Sequence, residues 1–272
     1  MSIEFPVKER YTMEDLLDLM VALRSPEGCP WDREQTHESI RSNFLEETHE
    51  AIEAINNRDI AGLREELGDV LMQVTLHTQI ATEEGEFTFD DVVDEVCRKL
   101  IVRHPHVFGD AVADDAAAVL KTWDAVKRST KGKEGENATQ ADLLRNVPRS
   151  LPALMRAAKV QGRARRVGFD WPDVSGALEA LDSEVAEFKA AVASGSAQDI
   201  EEELGDLLFS AVNVSRFVDT DAEQALTVST DKFIARFDKV EALAKERGLD
   251  MTRMSIDELD LLWCEAKMLV TK

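Results

Sequence analysis

Leu45-Glu46-Glu47-Thr48-His49-Glu50, followed at a distance by Glu66-Leu67-Gly68-Asp69, is the stretch on which the reading turns. Its spacing returns in Ser183-Glu184-Val185-Ala186-Glu187 and Glu203-Leu204-Gly205-Asp206. Glu66 follows Glu50 by sixteen positions, and Glu203 follows Glu187 by sixteen. Within each pair (Glu47 and Glu50, Glu66 and Asp69, Glu184 and Glu187, Glu203 and Asp206) the carboxylates are three positions apart. Residues so spaced are neighbours on a helix surface, roughly 5–6 Å between Cβ atoms. Two such helices side by side bring four carboxylates together, a donor set for a hard divalent cation. Oxygen ligands on helices suit Mg²⁺ or Mn²⁺ rather than zinc.

Around these residues the chain reads as successive helices. Thr12 is a plausible cap for a helix starting at Met13, and Ser25-Pro26-Glu27-Gly28-Cys29-Pro30 breaks it. A helix runs from about 39 to 55, with Phe44, Leu45, Ile52 and Ile55 on one stripe and Glu46, Glu47 and Glu50 turned away. Asn56-Asn57 ends it, and the next covers about 60 to 83. After Asp69, the residues Val70, Leu71, Met72, Val74 and Leu76 spread round most of the circumference, a pattern expected of a buried helix. Glu66 and Asp69 then stand at the entrance to a buried segment, an expensive place for unpaired charge. The second half repeats this: a helix over 179–192, an interruption at Gly195, and a long helix over 200–217 in which Asp206 precedes the largely apolar run 207–212.

Other pairs recur in the same order. Lys99 and Arg103 follow the first acidic set as Lys232 and Arg236 follow the second. Trp123 and Lys127 close the first half as Trp263 and Lys267 close the second, and Ser255 with Glu258 forms a capping box ahead of Trp263. Such ordered repetition marks a duplicated domain. The polar, glycine-bearing segment around 129–137 places the first domain at 1–128, a linker at 129–142 and the second domain at 143–272.

Each feature also has a plainer reading. A lone acidic row is ordinary solvated surface. A lone Lys-x-x-x-Arg is a pair of surface cations, although it also grips phosphate oxygens, Arg bidentately and Lys as a point charge. A tryptophan at helical spacing packs into a core as readily as it stacks on a base. What favours chemistry is that all of them recur together.

The bulk numbers exclude several classes. Of 272 residues 44% are hydrophobic and 32% charged, with a single Tyr, which favours helix over sheet. The net charge of −22 repels a phosphate backbone, so nucleic acid is not an expected partner. Cys29, Cys97 and Cys264 are scattered, against a disulfide frame or zinc site. His104-Pro105-His106 lacks a metal-spaced partner and is read as capping or packing. His37, His49 and His77, read as helical, face no nucleophile arrangement. Neither a signal peptide nor a membrane span is apparent, so the chain reads as soluble and cytoplasmic.

At this point the sequence closely resembles the MazG nucleoside triphosphate pyrophosphohydrolases. The likeness runs through Gly28-Cys29-Pro30-Trp31-Asp32, the Leu45–Glu50 and Glu66–Asp69 stretches, Arg103-His104-Pro105-His106-Val107-Phe108, Pro148-Arg149-Ser150-Leu151-Pro152-Ala153-Leu154, Val167-Gly168-Phe169-Asp170-Trp171 and Glu203–Leu208. It implies an all-α fold of two tandem MazG-like domains, with helical bundles completed by homodimerisation. It also implies hydrolysis of nucleoside triphosphates to monophosphate and pyrophosphate with Mg²⁺. The family motif maps onto Glu46, Glu47, Glu50, Glu66 and Asp69, and onto Glu184, Glu187, Glu203 and Asp206, with Ser183 where the second copy of the motif would begin. On this reading Glu47, Glu50, Glu66 and Asp69 hold the ion in one half, and Glu184, Glu187, Glu203 and Asp206 in the other. Glu46, Glu50 and Glu187 are the catalytic candidates, with Glu46 as base or water-orienting group. Lys99, Arg103, Trp123, Lys127, Lys232, Arg236, Trp263 and Lys267 contact the nucleotide. A nucleotide-sensing module without turnover, or an acidic interaction protein using no metal, are the competing readings.

Overall fold

The computed structural model describes residues 3–111, 115, 119 and 139–269, and the linker residues 129–138 fall outside that set. The described residues form helices, with no strand among them. The chain divides into two compact units, Met1–Glu134 and Gly135–Lys272.

In the first unit α1 (Met13–Arg24) opens on a capping box in which Thr12 accepts from the Asp15 amide and the Asp15 carboxylate accepts from Thr12 N–H. Two short pieces, α2 (Pro30–Glu34) and the turn at 37–40, lead into α3 (Arg41–Asn57) and α4 (Ile60–Glu84). His37 therefore sits in a turn, not on a helix. Only Arg58 and Asp59 join α3 to α4. Arg58 adopts the left-handed conformation (φ 57°), and the Asp59 carboxylate accepts from the Ala61 and Gly62 amides. This tight link makes α3 and α4 fold back on each other. Then follow α5 (Phe89–Arg103) and α6 (Pro105–Phe108), with His104 at their junction, its Nδ1 2.6 Å from the Leu100 carbonyl, as the capping reading expects.

The core of this unit lies where α1 meets the second half of α4: Met20, Ile40, Leu76 and Ile80 are buried, and Leu16, Leu19, Leu23 and Met72 pack on them. Burial along α4 starts at Gln73, one turn later than the apolar pattern implies, and Leu71 remains exposed. The stripe Phe44, Leu45, Ile52 and Ile55 is exposed as well. It is Ala51 and Ala54 that α3 buries, because α4 approaches α3 closely on its small-residue side.

The second unit begins with α7 (Gln140–Arg145), capped by Thr139, and α8 (Ala153–Arg165). The hairpin repeats as α9 (Val174–Ser194) and α10 (Ala197–Phe217), joined by Gly195 (φ 75°) and the cap Ser196. Both helices are longer than the sequence pattern suggests. α8 packs on α10 and on α11 (Ala222–Glu246), and α11 pairs with α12 (Ile256–Leu269). The Ser255–Glu258 box ahead of α12 is present. Val240, Ala244, Leu262 and Ala266 form the buried seam of that pair. The apolar run after Asp206, read as buried, is mostly exposed here: Leu208 and Phe209 face outward, and only Ser210 and Val212 are covered.

Candidate metal centre

Each hairpin delivers its carboxylates to one place. Because α3 and α4 are joined by two residues and run back to back, position 47 lies across from 66 and 69. Ligand oxygens of Glu47, Glu66 and Asp69 gather within 4.8 Å of one another. In the second unit the oxygens of Glu184, Glu187 and Glu203 do the same. Glu47, Glu66, Glu184 and Glu203 are all half-buried. Partial burial, then the charges of Asp69, Glu50 and Glu46, push the Glu47 carboxyl above its ordinary range. Glu66 rises through burial, the charges of Glu50 and Asp69, and a hydrogen bond shared with Glu50. Glu184 and Glu203 rise in the same manner, burial first and then the neighbouring carboxylates. Acids crowded together with raised affinity for protons are a site that a hard divalent cation relieves. The donor set, all carboxylate oxygen on two rigid helices, fits Mg²⁺ or Mn²⁺.

The two sets are not superposable in content. Glu50 lies outside the tight first group though in contact with Glu66, and Asp206 lies outside the second. Glu46 is exposed beside Glu47. Ser183, at the equivalent position, donates to Glu187 Oε1 at 2.9 Å.

Among the described residues, the basic and aromatic candidates sit on other helices, α5 in the first unit and α11 and α12 in the second. Lys99 is exposed on α5, with Arg103 half-buried at its end. Trp123 and Lys127 lie outside the described residues. On α11 and α12, Phe233 and Trp263 rings pack 4.9 Å apart, and Lys267 Nζ lies 5.9 Å from the Trp263 ring centroid. Trp263 also packs against the Val240–Leu262 seam, so its core role is established and any base contact is additional. Lys232 is exposed beside Phe233, and Arg236 is half-buried with its Nε lacking an acceptor. Among the described residues, no hydrogen bond or ion pair joins this group to the carboxylates of α9 and α10.

Spacing did not single out several polar residues that brace the two hairpins. In the first unit Arg24, 8% exposed, donates to both Glu83 oxygens and to the Asp32 and Gln35 carbonyls, pinning the 25–35 loop to α4. In the second, Arg216 pairs with Asp170 at 2.7 Å and bonds Asn213, and its guanidinium holds the Asp170 carboxyl below the usual range. Buried Gln161 donates to the Phe209 carbonyl. These residues, with Phe169 and Trp171, line a cavity of about 450 Å³. His37 and His77 stack with Nδ1 atoms 2.7 Å apart, and His37 lies within 4.8 Å of Glu84 and Glu86. Only a sequence separation, 59 residues for Arg24–Glu83 and 46 for Arg216–Asp170, stands between these partners, and no periodicity reports it.

A family profile for the MazG nucleotide pyrophosphohydrolase domain matches residues 35–108 and, again, 174–241. The two matches contain the two carboxylate clusters. The chain belongs to the MazG family. It is 44% identical over 254 residues to the nucleoside triphosphate pyrophosphohydrolase/pyrophosphatase MazG of Thermotoga maritima, covering 93% of this chain and 95% of that one. It is 42% identical to the nucleoside triphosphate pyrophosphohydrolase of Escherichia coli K12, over 94% and 97% of the two chains. Similarity to the uncharacterized protein YabN of Bacillus subtilis, at 43% identity, covers 96% of this chain and 54% of that protein. Membership in MazG accounts for the duplication, since the profile matches once per unit.

Proposed function

We propose that this MazG protein hydrolyses nucleoside triphosphates to the monophosphate and pyrophosphate, with Mg²⁺ held by its carboxylate clusters. The observation that carries the reading is the convergence of Glu47, Glu66 and Asp69, and of Glu184, Glu187 and Glu203, each within 4.8 Å and each inside a family-matched segment. Glu50 and Asp206 border these groups and complete the two ligand sets. The ion supplies neutralisation of phosphate charge and acidification of water at the site. Glu46, exposed beside Glu47, orients the attacking water in the first half and takes its proton. In the bond change, the water oxygen joins the α phosphorus while the bond from that phosphorus to the bridging oxygen breaks, and pyrophosphate departs. Lys232 and Arg236, and Lys99 and Arg103 in the first half, neutralise the oxygens of the leaving group. Trp263 with Lys267, and Trp123 with Lys127, meet the nucleoside end.

The same reading includes a homodimer. Phe44, Leu45, Ile52 and Ile55 on α3, with Leu67 and Leu71 on α4, leave an apolar face uncovered, and Leu204, Leu208 and Phe209 do so on α10. Gly68 and Gly205 stand mid-helix at the same repeat position with nothing within 4 Å of where a Cβ would be. A helix-interior glycine costs about 1 kcal/mol relative to alanine. Close approach by a second backbone accounts for keeping it twice. No described helix is long and apolar enough to cross a membrane.

Product analysis on a nucleotide panel tests the activity. Monophosphate with pyrophosphate, abolished by chelation, is expected. Diphosphate with phosphate, or full turnover by the D69N/D206N double variant, would overturn it.

A further inference from the structure

We infer that Ser183 is a positioning residue for the second carboxylate cluster: its hydroxyl, standing where the first cluster has Glu46, holds Glu187 ready for a divalent cation and makes the two halves unlike cation sites. The inference rests on the cation-site reading above.

Four observations lead to it. Ser183 Oγ donates to Glu187 Oε1 at 2.9 Å, one helical turn along α9. Glu187 belongs to the tight oxygen group of its half, whereas its counterpart Glu50 does not, and Asp69 fills the third place there. Glu50, four positions after Glu46, faces a like charge one turn away, which is repulsive at that spacing. Glu50 lies beside Glu66 rather than inside that group. The swap of one residue type thus changes which carboxylate completes each group.

The physical role follows from hydrogen-bonding capacity. A carboxylate has about four lone-pair positions on two oxygens. A hydroxyl that engages one of them leaves the rest for a cation and fixes the side-chain rotamer. Ordering a free glutamate side chain carries an entropic cost, and the hydroxyl removes part of it before the cation arrives. The first cluster brings five carboxylates, counting Glu46; the second brings four and a hydroxyl. The first thus relies on charge, the second on preset geometry.

The test uses the full chain carrying E66Q and D69N, so that only the second cluster remains, and reads Mn²⁺ binding by electron paramagnetic resonance without nucleotide. Replacing Ser183 by Ala in that background is expected to weaken Mn²⁺ binding about fivefold, the effect of losing one net hydrogen bond, with the urea midpoint unmoved. S183T, which keeps the hydroxyl, is expected to bind within twofold of its parent. Parental Mn²⁺ affinity in S183A, alongside lost binding in E187Q, overturns the role of Ser183 alone. Parental affinity in both E187Q and E203Q overturns the cation site itself.

Discussion

The first hairpin gathers Glu47, Glu66 and Asp69, and the second gathers Glu184, Glu187 and Glu203, although the spacing of acids along the two is identical. Our proposal ties this to position 46 against 183: a charge in one, a hydroxyl in the other. Spacing alone therefore decides that acids meet, while the neighbour one turn away decides which of them point inward. The braces differ in a parallel way. Arg24 reaches from α1 to α4 and ties down a loop through its carbonyls, whereas Arg216 is itself on the long hairpin helix and seizes Asp170 in the loop.

The largest expected effect separates the halves by activity. E66Q with D69N, and E203Q with D206N, are each expected to cut pyrophosphate release from the affected half by about two orders of magnitude or more. Steady-state rates of the two double variants against wild type show how turnover divides between the clusters. Equal, full rates in both would dissolve the comparison.

Next come the braces. Arg24 and Arg216 are nearly buried, so R24M and R216M remove the main partner of each carboxylate, leaving Glu83 with Gln79 and Asp170 with the more distant Arg165, at an expected cost of roughly 2–4 kcal/mol each. Glu83 is the more exposed acceptor, with 37% of its side chain accessible against 15% for Asp170, so R216M is expected to be the more damaging. Urea unfolding of the two variants measures this, and the reverse order would refute it.

A smaller effect concerns pH. Glu47, Glu66, Glu184 and Glu203 bind protons more tightly folded than unfolded. Their crowding destabilises the fold fully above the raised folded values and is relieved as pH falls through them toward the unfolded range. Asp15, Asp91, Asp142 and Asp170 are shifted downward, so the stability they add is lost only at lower pH, below their unfolded values. With chelator present, the clusters' contribution to the melting temperature is expected to rise as pH falls through their raised values, against the opposing pull of His77, whose burial lowers its affinity for protons, until loss of the downshifted acids reverses it. Saturating Mg²⁺ at pH 7 is expected to erase the rise, because a bound cation relieves the same crowding. A melting curve flat in both conditions would contradict the electrostatic account of the clusters.

The α-fold, the duplication and the carboxylate positions were legible because they are short-range: helix period, caps and three-residue spacing all lie within one turn. Thr12, Asn56-Asn57 and Gly195 marked real ends for this reason. What was not legible depends on distant partners. Val70 to Leu76 look apolar all round, yet α1 covers only the later turns, and nothing in the α4 sequence says where α1 stops. The Phe44–Ile55 stripe is legible as one apolar stripe, but the residues α3 buries are Ala51 and Ala54. Trp263 served its seam and Arg216 its aspartate through contacts that periodicity does not encode.

The smallest expected effect compares the two bends. Arg58 holds a left-handed conformation that Gly195 adopts freely. R58G is expected to stabilise the first unit by about 0.5–1 kcal/mol and G195A to destabilise the second by a similar amount. Thermal melts of both, with opposite signs, would confirm that this strain is one difference between the bends.

Those two-residue bends also bear on how the molecule comes into being. Each carboxylate set closes within twenty-two steps of chain, from Glu47 to Asp69 and from Glu184 to Asp206. Closing so short a stretch forfeits little chain entropy, and contacts this local form early and quickly. The acidic groups of the leading half can therefore be in register while the trailing half is still emerging from the ribosome.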